Sequence, residues 1–94
     1  MKPTMIQELY ATICDRRDHP TPESYTARLI SQGEDEIIKK IGEESVEIIL
    51  AAKSQGDQRL VEEIADLTYH VLVLLATRKI PPQAVEAELA KRRR

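Results

Sequence analysis

Two pairs of acids stand three residues apart in this chain, Glu44-x-x-Glu47 and Glu63-x-x-Asp66. On a helix that spacing stacks both carboxylates of a pair on one face, about 4.5 Å apart along the axis. The first pair lies in GEESVEIILAA, residues 42–52, where the chain also keeps an apolar rhythm. Ile37, Ile41, Ile48 and Ala51 recur at the i, i+4, i+7 interval of a packing face. At about 100° per residue, Glu44 falls inside that same arc. A lone carboxylate on a packing face costs several kcal/mol unless something pairs with it.

The second pair offers a partner. SQGD, residues 54–57, interrupts two long helical patterns, so the flanking helices are expected to fold back as an antiparallel hairpin. Glu47 and Glu63 are each eight residues from Gln55, and Glu44 and Asp66 are each eleven. Matched heights would bring Glu47 beside Glu63 and Glu44 beside Asp66. Any one of the 16 acidic residues is best read as solvated, but four convergent negative charges repel strongly in a low dielectric. A bound divalent cation resolves that conflict. All four donors are hard oxygens, with no His or Cys among them, which favours Mg²⁺ or Mn²⁺ and disfavours Zn²⁺. A di-iron bundle would carry Glu-x-x-His on two helices, and this chain does not.

Mg²⁺ held by few carboxylates usually serves a phosphate-bearing substrate. Lys39 and Lys40 precede Glu44 on the same helix, Arg28 is on the preceding one, and Lys53 is at the turn end. Each alone reads as a surface cation; beside a carboxylate–metal site they form a candidate phosphate clamp. His70, one turn past Asp66, is placed to bond that carboxylate, touch substrate or serve the core. His19 is assigned no role.

The elements that must position these groups are helical throughout. The 94 residues suffice for one domain, and Ile, Leu, Val and Ala dominate an apolar set with 3 Tyr and no Phe or Trp. The pattern predicts helices over residues 3–17, 24–32, 34–53, 58–79 and 83–93. Pro20 and Pro22 break the first pair, Ser24 caps the second helix, Gly33 stops it, and Pro81 and Pro82 end the fourth. The expected fold is an all-α bundle of four to five helices. Ile64, Ala65, Leu67 and Val71 to Ala76 point nearly all round the fourth helix, so a second subunit is expected to cover it.

A net charge of −2 gives no bulk attraction to nucleic acid, and the KRRR ending reads as a solvated helix end. Cys14 is alone, which excludes an intrachain disulfide. The early charges do not resemble a signal peptide, and no run is apolar enough to span a membrane; a cytoplasmic protein is expected.

GEESVEIILAAK followed by VEEIADLTYHVLVLLA, and preceded by SYTARLISQGEDEIIKKIGEE, closely resembles the phosphoribosyl-ATP pyrophosphohydrolases, over roughly residues 8–93. The broader superfamily of all-α MazG-like nucleotide pyrophosphohydrolases shares only Glu43, Glu44 and Glu47 followed by Glu63 and Asp66. Ser24-Tyr25-Thr26, Lys39-Lys40 and Tyr69-His70 carry the more specific likeness; Ser45 and Thr68 depart from it. The resemblance implies hydrolysis of phosphoribosyl-ATP to phosphoribosyl-AMP and pyrophosphate, the second step of histidine biosynthesis. It implies Glu44, Glu47, Glu63 and Asp66 as metal ligands, with Glu43 orienting or deprotonating water or simply holding a lysine. Ser24, Thr26, Arg28, Lys39, Lys40 and His70 would meet the substrate. Members of the family are dimers or pairs of dimers, and a chain with no attached cyclohydrolase domain matches the stand-alone form. The competing expectations are a house-cleaning hydrolase of another nucleoside triphosphate and a non-catalytic helical dimerisation module.

Overall fold

A computed structural model describes residues 2–93. Five helices account for the regular structure among them: α1 Met5–Asp18, α2 Tyr25–Ser31, α3 Glu34–Ser54, α4 Asp57–Thr77 and α5 Pro82–Lys91. Of the basic ending, Arg94 lies outside the described residues.

Local chemistry sets the boundaries. Helix α1 begins two residues later than its apolar pattern predicts because Thr4 and Gln7 form a reciprocal cap. The Gln7 N–H donates to Thr4 Oγ1 at 3.1 Å and the Thr4 N–H to Gln7 Oε1 at 2.8 Å. Ser24 Oγ accepts the Ala27 N–H at 3.1 Å and starts α2. Gly33 and Gly56 have φ of 101° and 89°, a conformation in which an L side chain would be strained. They separate α2 from α3 and α3 from α4 with connections of two residues each. Glu34, Asp35 and Glu36 occupy the first turn of α3, where the helix dipole favours negative charge. Pro82 opens α5, where no N–H is missed.

Helices α3 and α4 form the main packing pair, an antiparallel hairpin. Ile13 of α1, Leu29 of α2, Ile37 of α3 and Leu72, Val73 and Ala76 of α4 make the core beneath one end of it. Helix α1 ties down the C-terminal end of α4 and the turn after it by supplying side-chain donors to their carbonyls. Tyr10 Oη donates to the Ile80 carbonyl at 2.6 Å and Arg17 Nη1 to that of Ala76 at 2.6 Å.

One face of the N-terminal half of α4 is open. Val61 and Ile64 are 60% and 45% exposed, and Ile38, Val46, Ile49 and Leu50 of α3 are also open. The other helices of this chain therefore leave part of the hairpin's apolar surface uncovered, as the all-round apolar pattern of α4 leads one to expect.

Arg78, just past α4, donates through Nε and Nη2 to both oxygens of Glu34 at 2.7 and 2.8 Å, tying the two far ends of the hairpin together. This hydrogen bonding, with the Arg78 charge adding to it against slight desolvation, holds the Glu34 carboxyl below its ordinary range. A depressed carboxyl contributes stability that is present above its unfolded pKa and lost as pH falls through its folded one. Arg78→Gln is expected to lower the melting temperature slightly at neutral pH and to have no effect once Glu34 is protonated. Thermal melts of both proteins across that acid range check it; as a solvent-facing pair its contribution is small.

Candidate active site

Glu44 and Glu47 sit on α3 and Glu63 and Asp66 on α4, so the hairpin presents two carboxylates from each of its arms. Glu44 lies in the apolar seam, as its place between Ile41 and Ile48 requires: its side chain is 13% exposed. Burial pushes its carboxyl up, the contact with His70 opposes this, and the charge of Asp66 adds to the rise. The influence of Asp66 on Glu44 sets the two carboxylates near each other across the turn.

The partner of Glu44 is His70. Its Nδ1 stands 2.7 Å from Glu44 Oε1 and 3.0 Å from the Asp66 carbonyl oxygen. Facing two acceptors, Nδ1 carries a proton and donates. A bond from His70 to the Asp66 carboxylate, one of the roles its position allows, does not form: one turn of helix brings it to the Asp66 backbone, and the ring reaches across to α3. Nε2 is 2.9 Å from Tyr25 Oη of α2. Burial, then the charges of Tyr69, Glu44 and Glu36, raise the Tyr25 phenol's pKa. Tyr25, Tyr69 and His70 pack as an aromatic group, with His70 edge-on to both tyrosines.

The other half of the acid set has a different counter-ion. Glu63 is buried, and Arg59, four residues before it on α4, pairs with it through Nη2 at 2.7 Å. Arg59 Nη1 reaches the exposed Glu62 at 3.2 Å. The hydrogen bond to Glu62 and the charges of Glu63, Glu62 and Glu47 all strengthen the hold of Arg59 on its proton. The Glu47 charge thus reaches Arg59, the partner of Glu63, from the facing helix.

The four carboxylates do not close on a single point. Among the described residues no three His, Cys, Asp or Glu side chains are gathered as a metal-holding group. The expected convergence is divided into two halves, in each of which one acid already has a side-chain partner: Glu44 is hydrogen-bonded by His70 and Glu63 is paired with Arg59. The chemistry of the set still fits a hard divalent cation: four carboxylates, two per helix, with Asp66 exposed and Glu47 half-buried at the edge.

The remaining sequence candidates are placed unevenly. Lys40 lies 3.8 Å from Glu43 and its charge also acts on Glu44. Glu43 and Lys39 are exposed. Arg28 is exposed and donates to the Pro22 carbonyl at 2.8 Å, and Ser24 Oγ is used as the α2 cap. Thr26 is turned inward, buried and hydrogen-bonded to Tyr69 Oη. The two departures from the family pattern are accommodated locally, since Ser45 and Thr68 hydroxyls both donate to the carbonyl one turn back at 2.8 Å. Sequence reasoning passed over Arg59 and gave Tyr25 no role; the i, i+4 interval from Arg59 to Glu63 was the available signal.

An apolar groove of about 470 Å³ lies elsewhere, between α1, α4 and α5, and is lined by Ile6, Val71, Leu75, Val85 and Leu89 among others. None of the four acids lines it, so the hairpin, not the groove, is the candidate centre.

The chain is similar to known proteins over most of its length. The family described as "Phosphoribosyl-ATP pyrophosphohydrolase" matches residues 6–93. A protein named "Phosphoribosyl-ATP pyrophosphatase" from Pelotomaculum thermopropionicum is 55% identical over 89 residues, 95% of this chain and 91% of that protein. One of the same name from Clostridium botulinum is 47% identical over 92 residues, 98% of this chain and 84% of the relative. A "Histidine biosynthesis bifunctional protein" from Synechocystis is 50% identical over 90 residues, which are 96% of this chain and 42% of that longer protein. With the match running through all five helices and both acid pairs, this chain belongs to the phosphoribosyl-ATP pyrophosphohydrolase family.

Proposed function

We propose that this chain hydrolyses phosphoribosyl-ATP to phosphoribosyl-AMP and pyrophosphate in histidine biosynthesis, with Mg²⁺, or Mn²⁺ in its place, held by Glu44, Glu47, Glu63 and Asp66. The observation that carries the reading is the presentation of two acid pairs by the α3–α4 hairpin in a chain matched by the family over residues 6–93. Attack of water on the phosphoanhydride forms one P–O bond and breaks the bridge between the α and β phosphates, with pyrophosphate leaving. A divalent cation bound by the four acids would neutralise phosphoryl oxygens and the departing charge and lower the pKa of the attacking water.

The chain's own groups supply the rest. His70 donates to Glu44 and fixes the direction of that carboxylate, and Tyr25 holds the far side of the ring. Glu43 serves as base only by giving up Lys40, which is 3.8 Å away at the exposed edge. Lys39, Lys40 and Arg28 are the cations for phosphate oxygens, while Ser24 retains a hydroxyl proton to donate. Thr26 acts through the packing of α2 against Tyr69.

The reading includes a homodimer, or a pair of dimers, covering the open face of Ile38, Val46, Ile49, Leu50, Val61 and Ile64; their exposure supports it. It also includes a cytoplasmic location. No helix among the described residues is long and apolar enough to cross a membrane.

Pyrophosphate release from phosphoribosyl-ATP, measured beside dUTP, dCTP and ATP with Mg²⁺ and with chelator, tests substrate and cofactor together. Phosphoribosyl-ATP is expected to be strongly preferred, and chelation to stop release. A clear preference for a common triphosphate would reject the substrate, and undiminished release in chelator would reject the metal.

A further inference from the structure

We propose that Arg59 competes with the divalent cation for Glu63, so that metal binding must displace its guanidinium from one side of the acid site. The inference rests on the reading of the four acids as a cation site and adds to it a residue outside the acid set.

Glu63 is 4% exposed, and a carboxylate so buried requires a counter-charge. Arg59 Nη2 supplies it at 2.7 Å. The guanidinium therefore takes oxygen lone pairs that a metal would need. Its own side chain is 49% exposed, so the head group can leave without breaking into the core. It also has somewhere to go. Nη1 is already on Glu62 at 3.2 Å, and Glu62 is steadied by Gln58 Nε2 at 3.2 Å on the exposed side of α4. Arg59 can release Glu63 and keep Glu62, remaining at the rim with Nη2 free.

That second position has a use. A planar guanidinium released at the edge of a metal–carboxylate site presents paired donors to phosphate oxygens. Arg59 then has opposite effects on two ligands: it weakens binding of the bare cation and strengthens binding of the anionic substrate that follows.

Titration of the full chain with Mn²⁺ alone, followed by the electron paramagnetic resonance of free Mn²⁺, reads the first effect without turnover. Arg59→Gln is expected to bind Mn²⁺ at least about fivefold more tightly than the unaltered chain, the equivalent of a ~1 kcal/mol pair. Arg59→Lys, which keeps the charge but not the two-armed geometry, is expected to fall between them. It also serves as the readout if the glutamine variant does not fold. Arg78→Gln removes the same charge from the far end of the hairpin and is expected to leave Mn²⁺ affinity unchanged. In turnover, Arg59→Gln is expected to raise the KM for phosphoribosyl-ATP.

Equal or weaker Mn²⁺ binding by Arg59→Gln, with binding clearly weakened in Glu47→Gln, would overturn the competition and leave the acid site standing. Equal tightening in Arg78→Gln would also overturn it, by reducing the effect to overall charge. Binding only in Arg59→Gln would support it in its strongest form. Binding in none of these proteins would remove the cation site and the competition together.

Discussion

Glu47→Gln is expected to reduce Mg²⁺-dependent pyrophosphate release by about 10³-fold, roughly 4 kcal/mol of barrier, while helix content stays the same. The substitution keeps the shape of the side chain and removes the charge that acts on Arg59 from the facing helix. Glu47 is half-buried and has no close salt-bridge partner among the described residues, so a neutral amide leaves no counter-ion stranded. Its charge repels Glu63 and attracts Arg59, and the two effects oppose each other. The melting temperature should therefore hold or rise slightly. Loss of activity with equal or greater stability is the signature of a group retained for its ligand. A helical dimerisation module with an incidental acid cluster gives the opposite result: release never present above background, and no change on substitution. Initial rates across a Mg²⁺ titration, beside thermal melts, separate the two. The lost activity should return only in part at high Mg²⁺, because one of four oxygen donors is weakened.

The part of this site that was legible in the sequence is the part that follows from helix geometry alone. A three-residue interval fixes which carboxylates share a face, and Gly56 with its φ of 89° fixes where the chain turns back. The matched heights of Glu44 with Asp66 and of Glu47 with Glu63 follow from these two facts. So does the burial of Glu44, since 100° steps from Ile37 and Ile41 leave it no other direction. What side chains do after reaching the seam is not periodic. His70 meets the Glu44 carboxylate and the Asp66 backbone because its ring swings toward α3, and Thr26 turns to Tyr69 because α2 packs that face inward. Arg59 escaped notice for a different reason. Arg and Glu four residues apart are ordinary on solvated helices, and only the burial of Glu63 sets this pair apart. The start of α1 was displaced by the Thr4–Gln7 cap, a local bond that overrides the apolar pattern.

Ile37→Ala is expected to cost ~2–5 kcal/mol of folding stability, the range for removing a buried Ile side chain down to its β-carbon. Ile37 is 0% exposed and packs in the cluster where α1, α2 and α4 meet α3. In a small domain with only about 5–15 kcal/mol in hand, that is a large share of the total. At about 4–8 °C per kcal/mol, the melting temperature should drop by roughly 10 °C or more. The consequence for chemistry follows from position. Ile37 lies on the same face of α3 as Ile41 and Glu44, two turns before the carboxylate that His70 holds across the hairpin. A cavity there loosens the α3–α4 register on which the matched heights depend. Because a cation bound by both helices would bind the folded hairpin and not the unfolded chain, saturating Mg²⁺ should restore part of the lost melting temperature. In Glu47→Gln that restoration should shrink, since a weaker site transmits less of its binding free energy to the fold. Melts of Ile37→Ala, with and without Glu47→Gln, over a Mg²⁺ series measure the difference. An Ile37→Ala protein that melts where the unaltered chain does would place the weight of the fold outside this cluster, and a stabilisation by Mg²⁺ that ignores Glu47 would place the cation outside the hairpin.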